Sequence, residues 1–138
     1  MKILILNGPN LNLLGKREPE IYGNQSFEEY FEQLVRLFPD HDFSYLQSNV
    51  EGELINELHR AMNEFDGVVF NPGGYSHSSV ALRDAIASIR IPVIEVHISN
   101  VHAREDFRQR LITASVAKGC ITGFGMKGYQ MAVESLIS

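Results

Sequence analysis

The chain has 138 residues, 44% of them hydrophobic and 21% charged, with a formal net charge of −5. That is enough apolar material for one globular domain, and the acidic balance disfavours broad nucleic-acid binding through phosphates. A single cysteine, Cys120, excludes an intrachain disulfide and fits a reducing, cytoplasmic compartment, and no apolar run is long enough for a membrane span or signal peptide.

Taken in order, Ile3-Leu4-Ile5-Leu6 is a continuous apolar run, the pattern of a central parallel strand. The breakers Asn7-Gly8-Pro9-Asn10 end it. A stretch of about fifteen residues without periodicity follows, which is long for a compact domain and points to a functional loop. It carries Arg17 and Tyr22 within residues 15–23. Ser26, with Glu29 three residues on, reads as a capping box opening a helix whose apolar face is Phe27, Tyr30, Phe31, Leu34, Val35 and Phe38. Residues 43–47 read as a polar strand at a sheet edge. Leu54, Ile55, Leu58, Ala61, Met62 and Phe65 mark a second helix.

Val68-Val69-Phe70 is the next buried strand, stopped by Asn71-Pro72-Gly73-Gly74. The polar stretch containing His77 leads into a third helix with Ala81, Leu82, Ala85 and Ile86. Residues 93–98 read as a strand, 103–110 as a short helix and 119–124 as the last strand. A last helix turns Tyr129, Ala132, Val133, Leu136 and Ile137 inward. Strands alternating with helices imply a parallel sheet covered on both faces. The expectation is one α/β domain over 1–138, a flavodoxin-like three-layer sandwich with five strands in the order 2-1-3-4-5. In such a sheet ligands bind outside the carboxyl ends of the strands. The three most unusual loops follow strands one, three and four.

Glu95 and His97 are alternate residues of one strand and so share a face. Two ionisable groups fit either an edge strand with one wet face or a carboxylate that orients an imidazole and favours its proton-donating form. In the loop, a guanidinium near a phenol stabilises the phenolate, so Arg17 beside Tyr22 fits either an activated base or an ordinary exposed loop. Arg104 and Arg108, four apart, suit a carboxylate or hydroxyl ligand, or a solvated helix face. Asp84 reads most simply as a surface residue. Cys120 reads as a packed small residue. Glu95, His97 and His102 offer metal-ligand types at a spacing that matches no strong zinc pattern. Gly15-Lys16-Arg17 fails as a phosphate loop, and residues 74–78 fail as a nucleophile elbow.

Five segments, in order, resemble the type II 3-dehydroquinate dehydratase family along essentially the whole length. They are Asn7-Gly8-Pro9-Asn10-Leu11; Arg17-Glu18-Pro19 with Tyr22-Gly23; Asn71-Pro72-Gly73 with His77 and Ser79; Glu95-Val96-His97-Ile98-Ser99-Asn100; and Arg104-Glu105 with Phe107-Arg108. The resemblance implies dehydration of 3-dehydroquinate without a cofactor or metal. It implies Tyr22 as base, Arg17 as its stabiliser, His97 as acid and Glu95 behind it. It places Asn71, His77, Arg108 and the main chain at Ile98 and Ser99 on the substrate. It implies Asp84 reaching a neighbouring subunit's site in a dodecamer of trimers, with neither nucleic acid nor membrane as partner. Gly74 departs from a common family alanine, and the run Gln109-Arg110-Leu111-Ile112-Thr113 departs from the usual histidine-rich sequence. The competing class is a non-catalytic flavodoxin-like binding or receiver module. Asn71 stands where a phosphoacceptor aspartate is needed, and the loop after strand one lacks the Ser/Thr-rich pattern of a flavin site.

Overall fold

The apolar run after Met1 forms β1 (Lys2–Asn7), buried on both faces from Ile3 onward. A computed structural model describes residues 1–16, 20 and 24–138 of the chain. After β1 come α1 (Phe27–Leu37), β2 (Asp42–Gln47), α2 (Glu51–Glu64), β3 (Gly67–Asn71), α3 (Val80–Ser88), β4 (Val93–His97), β5 (Gly119–Thr122) and α4 (Lys127–Ile137). All strand pairings are parallel, in the order β2-β1-β3-β4-β5. This is the expected order, with the polar β2 at an edge.

Alternation along the strands divides the apolar residues between two faces. Ile3, Ile5, Val69, Ile94 and Val96 meet Phe27, Tyr30 and Leu34 of α1 and Tyr129, Ala132 and Val133 of α4. Leu4, Leu6, Val68, Phe70 and Val93 meet Leu54, Leu58 and Ala61 of α2 and Leu82, Ala85 and Ile86 of α3. Each large apolar side chain so buried stabilises the fold by about 1.5–3 kcal/mol before its entropy cost. Ser26 and Ser79 cap α1 and α3 by accepting from the N–H groups of Glu29 and Leu82. The reciprocal half of the capping box is absent: the Glu29 carboxylate takes the Ser26 hydroxyl instead.

Two expectations are corrected. Residues 103–110 do not form a helix. They contribute to two 3-10 turns, Val101–Ala103 and Asp106–Gln109, separated by extended backbone at Arg104 and Glu105. The segment is short and buries little: Phe107 is 63% exposed, so no apolar face offsets the cost of helix nucleation. β4 lies between β3 and β5, where the expected order places it, and every residue in it is buried, so the wet-edge alternative for Glu95 and His97 does not hold. Cys120 is not packed inside but exposed on β5, which forms the sheet's far edge.

Candidate active site

β1 and β3 end together, with Asn7 opposite Asn71. Beyond them the chain reverses onto opposite faces of the sheet, leaving a crevice. The two loops that follow are locked to each other. Gly8 N–H donates to the Asn71 carbonyl at 2.7 Å, and a Cβ on Gly8 would lie 2.5 Å from the Pro72 oxygen. Only glycine allows that approach. A pocket of about 110 Å³ opens here, bounded by Asn10 from the first loop, Asn71 at the end of β3 with His77 beyond it, and His97 at the end of β4 with Ser99 beyond it.

His97 reaches this pocket from the end of β4. Its Nε2 lies 2.7 Å from Glu95 Oε2, and a carboxylate only accepts, so Nε2 carries the proton. The other carboxylate oxygen, Oε1, accepts from Thr113 Oγ1 at 2.6 Å. Glu95 and Thr113 have no solvent exposure and His97 has 6%. A buried carboxylate with both oxygens held is a fixed orienting group for an imidazole.

Asn71 is positioned from behind. Tyr129 of α4 donates from its hydroxyl to Asn7 Oδ1 at 2.8 Å and accepts from Asn71 Nδ2 at 2.9 Å. Gly73 N–H donates to Asn71 Oδ1 at 3.0 Å. One N–H of the Asn71 amide is then left for a ligand. Burial raises the Tyr129 phenol well above its ordinary value, outweighing the hydrogen bonds to Asn71 and Asn7, so this tyrosine stays protonated and is no base.

His77 Nδ1 lies 3.0 Å from the Arg110 carbonyl. A carbonyl only accepts, so Nδ1 carries the proton and Nε2 presents its lone pair. Burial lowers the His77 pKa, the Arg110 carbonyl opposes this, and His97 and Arg108 lower it further. At neutral pH His77 is therefore a neutral acceptor, suited to a hydroxyl. Its ring stands 6.2 Å from that of His97. Ile112 N–H donates to the Ser76 carbonyl at 2.8 Å, which draws residues 110–113 along the β3 loop and delivers Thr113 to Glu95. Arg108, ion-paired with Glu105, and Arg104, 3.3 Å from Ser99 Oγ, close the pocket's cationic side.

The family profile described as dehydroquinase class II matches residues 1–137. The chain belongs to the class II dehydroquinases. It is 54% identical over 134 residues to a Bacillus licheniformis protein named 3-dehydroquinate dehydratase, covering 96% of this chain and 92% of that one. A Pelotomaculum thermopropionicum protein of the same name is 53% identical, with 98% and 95% covered. The crystal structure of a type II dehydroquinase from Butyrivibrio crossotus superposes with a TM-score of 0.97 at 48% identity, covering 100% of this chain and 98% of that one.

In this class II dehydroquinase the pocket gathers Asn71, His77, His97, Ile98, Ser99 and Arg108, with Glu95 directly behind. Arg104 and Arg108 meet there without sharing a helix face, Arg104 from the extended link and Arg108 from the second 3-10 turn. Asp84 is elsewhere: its side chain is 63% exposed on α3 and pairs with Arg83 at 3.0 Å. Arg17 and Tyr22 lie outside the described residues. His102 does not join Glu95 and His97. The metal-capable group that converges with them, among the described residues, is Cys120. Although the residue is exposed on the edge strand, partial covering of its thiol by the surrounding atoms, together with the negative Glu95, pushes it up to about 12, so at neutral pH it is a protonated thiol rather than a nucleophile.

Asn10, Thr113 and Tyr129 are the site residues that sequence reasoning passed over. Asn10 had a signal in its motif position, and it adopts φ 71° at the pocket rim. Thr113 had almost none, being a hydroxyl in the run Leu111-Ile112-Thr113, 18 residues from its partner. Tyr129 reads as core, and its ring is core; only the hydroxyl serves the site.

Proposed function

We propose that this chain, a single catalytic domain over residues 1–138, dehydrates 3-dehydroquinate to 3-dehydroshikimate in the shikimate pathway to aromatic amino acids. The observation that carries this reading is the buried Glu95–His97 pair at the head of a small polar pocket, on a chain with dehydroquinase relatives over nearly its full length. The reaction needs a base for the proton alpha to the ketone, a stabiliser for the enolate and an acid on the departing hydroxyl.

Tyr22, kept ionised by Arg17, takes the alpha proton, and the electron pair moves onto the ketone oxygen as an enolate. Arg17 spreads the developing charge. Protonated His97, oriented by Glu95, gives its proton to the leaving hydroxyl, which departs as water as the enolate collapses to the conjugated enone. Asn71 and the main-chain N–H groups at Ile98 and Ser99 hold the substrate in register. Neutral His77 accepts from one substrate hydroxyl and Arg108 donates to an oxygen. None of these steps changes an oxidation state of the protein or calls for a cofactor.

The same reading has the chain working in the cytoplasm as a dodecamer of trimers, with exposed Asp84 completing a neighbouring subunit's site. No helix among the described residues is long and apolar enough to cross a membrane. Tyr22→Phe and His97→Ala should each keep substrate binding by calorimetry and lose about a hundredfold or more in kcat. A variant that turns over at the wild-type rate removes that residue from its role.

A further inference from the structure

In the β4–β5 ladder Glu95 stands opposite Cys120 and His97 opposite Thr122. Paired residues of neighbouring strands project to the same face, so Cys120 lies beside Glu95. A carboxylate oxygen of Glu95, a ring nitrogen of His97 and Cys120 Sγ all lie within 4.8 Å of one another. Two of these groups are buried, and the third is exposed on the edge strand. The cluster thus joins the catalytic pocket to the open edge of the sheet.

We propose that Glu95, His97 and Cys120 form a site for a soft or borderline divalent cation of the Zn2+ or Cd2+ type, and that filling it stops turnover. Thiolate, imidazole and carboxylate are the donor types such ions select. Zinc holds sulfur at about 2.3 Å and nitrogen or oxygen at about 2.0–2.2 Å, so its ligand atoms stand roughly 3.3–3.7 Å apart. Reaching that geometry takes a slight opening of the Glu95–His97 hydrogen bond and an inward turn of Cys120. β5 is a four-residue, partly exposed edge strand, where such a turn meets little resistance. The carboxylate already has an outer partner in the Thr113 hydroxyl, the kind of support that orients metal ligands.

Binding forms metal–sulfur, metal–nitrogen and metal–oxygen bonds and leaves one position to water. The Cys120 thiol proton goes to solvent. The imidazole binds neutral, through a nitrogen lone pair, and no group is oxidised or reduced. His97 then keeps a single N–H and cannot become the imidazolium, and a neutral imidazole is far too weak an acid to protonate a leaving hydroxyl. The inhibitory half of this proposal rests on the acid role assigned to His97; the binding half does not.

The probe is Cd2+ added to the full-length, metal-free protein. The chain has one cysteine, so the ultraviolet thiolate-to-cadmium band reports Cys120 alone. The expected result is one Cd2+ per chain, with the band and the loss of dehydratase activity sharing one midpoint and both reversed by chelator. Cys120→Ala should turn over normally without metal, give no band and tolerate at least about tenfold more Cd2+. His97→Ala should weaken the band's midpoint by at least about tenfold. No band at saturating Cd2+ overturns the proposal. So does an unchanged midpoint in His97→Ala, which means the cysteine captures the ion alone, or wild-type inhibition of Cys120→Ala. A His97-dependent band in a protein that keeps full turnover upholds the cation site and removes His97 as the acid.

Discussion

Thr113 Oγ1 donates to Glu95 Oε1 at 2.6 Å on a carboxylate whose other oxygen is taken by His97. Thr113→Val keeps the shape and removes the donor. A buried acceptor left unsatisfied costs about 1–3 kcal/mol. If that cost falls on the orientation of Glu95, kcat drops by roughly tenfold to a hundredfold while KM stays within about twofold. Thr113→Ser should restore most of the rate. A lower melting midpoint in Thr113→Val with kcat intact would show that the hydroxyl only stabilises the fold.

The lowered pKa of His77 has a consequence for stability. Its folded value lies below the ordinary 6.5, chiefly through burial, so the unfolded chain binds more protons as pH falls through that region. The contribution is fully present above about pH 6.5 and is lost as pH falls from there through the folded value. His77→Gln removes the titration and keeps a donor for the Arg110 carbonyl. Urea midpoints between pH 7.5 and 5.5 should therefore fall less steeply in His77→Gln than in the wild type. Parallel curves would mean that His77 does not titrate in this window.

Gly8 and Gly52 make opposite predictions. A Cβ on Gly8 meets the Pro72 oxygen at 2.5 Å, while one on Gly52 meets nothing within 4 Å. Gly8→Ala must part the loops after β1 and β3, and Asn10 and Asn71 move with them. Activity should fall at least about tenfold and the melting midpoint by several degrees. Gly52→Ala, in the first turn of α2, should leave activity alone and stabilise the protein slightly, by up to about 1 kcal/mol. Wild-type activity in Gly8→Ala would show that the loop contact does not shape the pocket.

The sheet was legible because both of its ingredients are local. Ile3-Leu4-Ile5-Leu6 and Val68-Val69-Phe70 announce strands buried on both faces, and Asn7 and Asn71 announce where they end. The Glu95–His97 pair was legible from period-two alternation, though only the sheet order shows that β4 is interior. The roles themselves came from matching whole motifs to a family, not from spacing. Residues 103–110 read as one helix because the four-residue spacing of Arg104 and Arg108 also arises where a 3-10 turn follows a short extended link. Thr113 and Cys120 were illegible because their partners are set by tertiary contacts and strand register. Neither leaves a periodic trace in the chain.

The most direct measurement is the ultraviolet absorbance, at the enone band, of the purified protein mixed with 3-dehydroquinate. Loss of water creates a carbon–carbon double bond conjugated with the ketone, and the substrate has no such band. The account predicts a rise that continues to equilibrium at a rate proportional to protein concentration, and that is lost in His97→Ala. Calorimetric binding of 3-dehydroquinate with no rise in the enone band would contradict it.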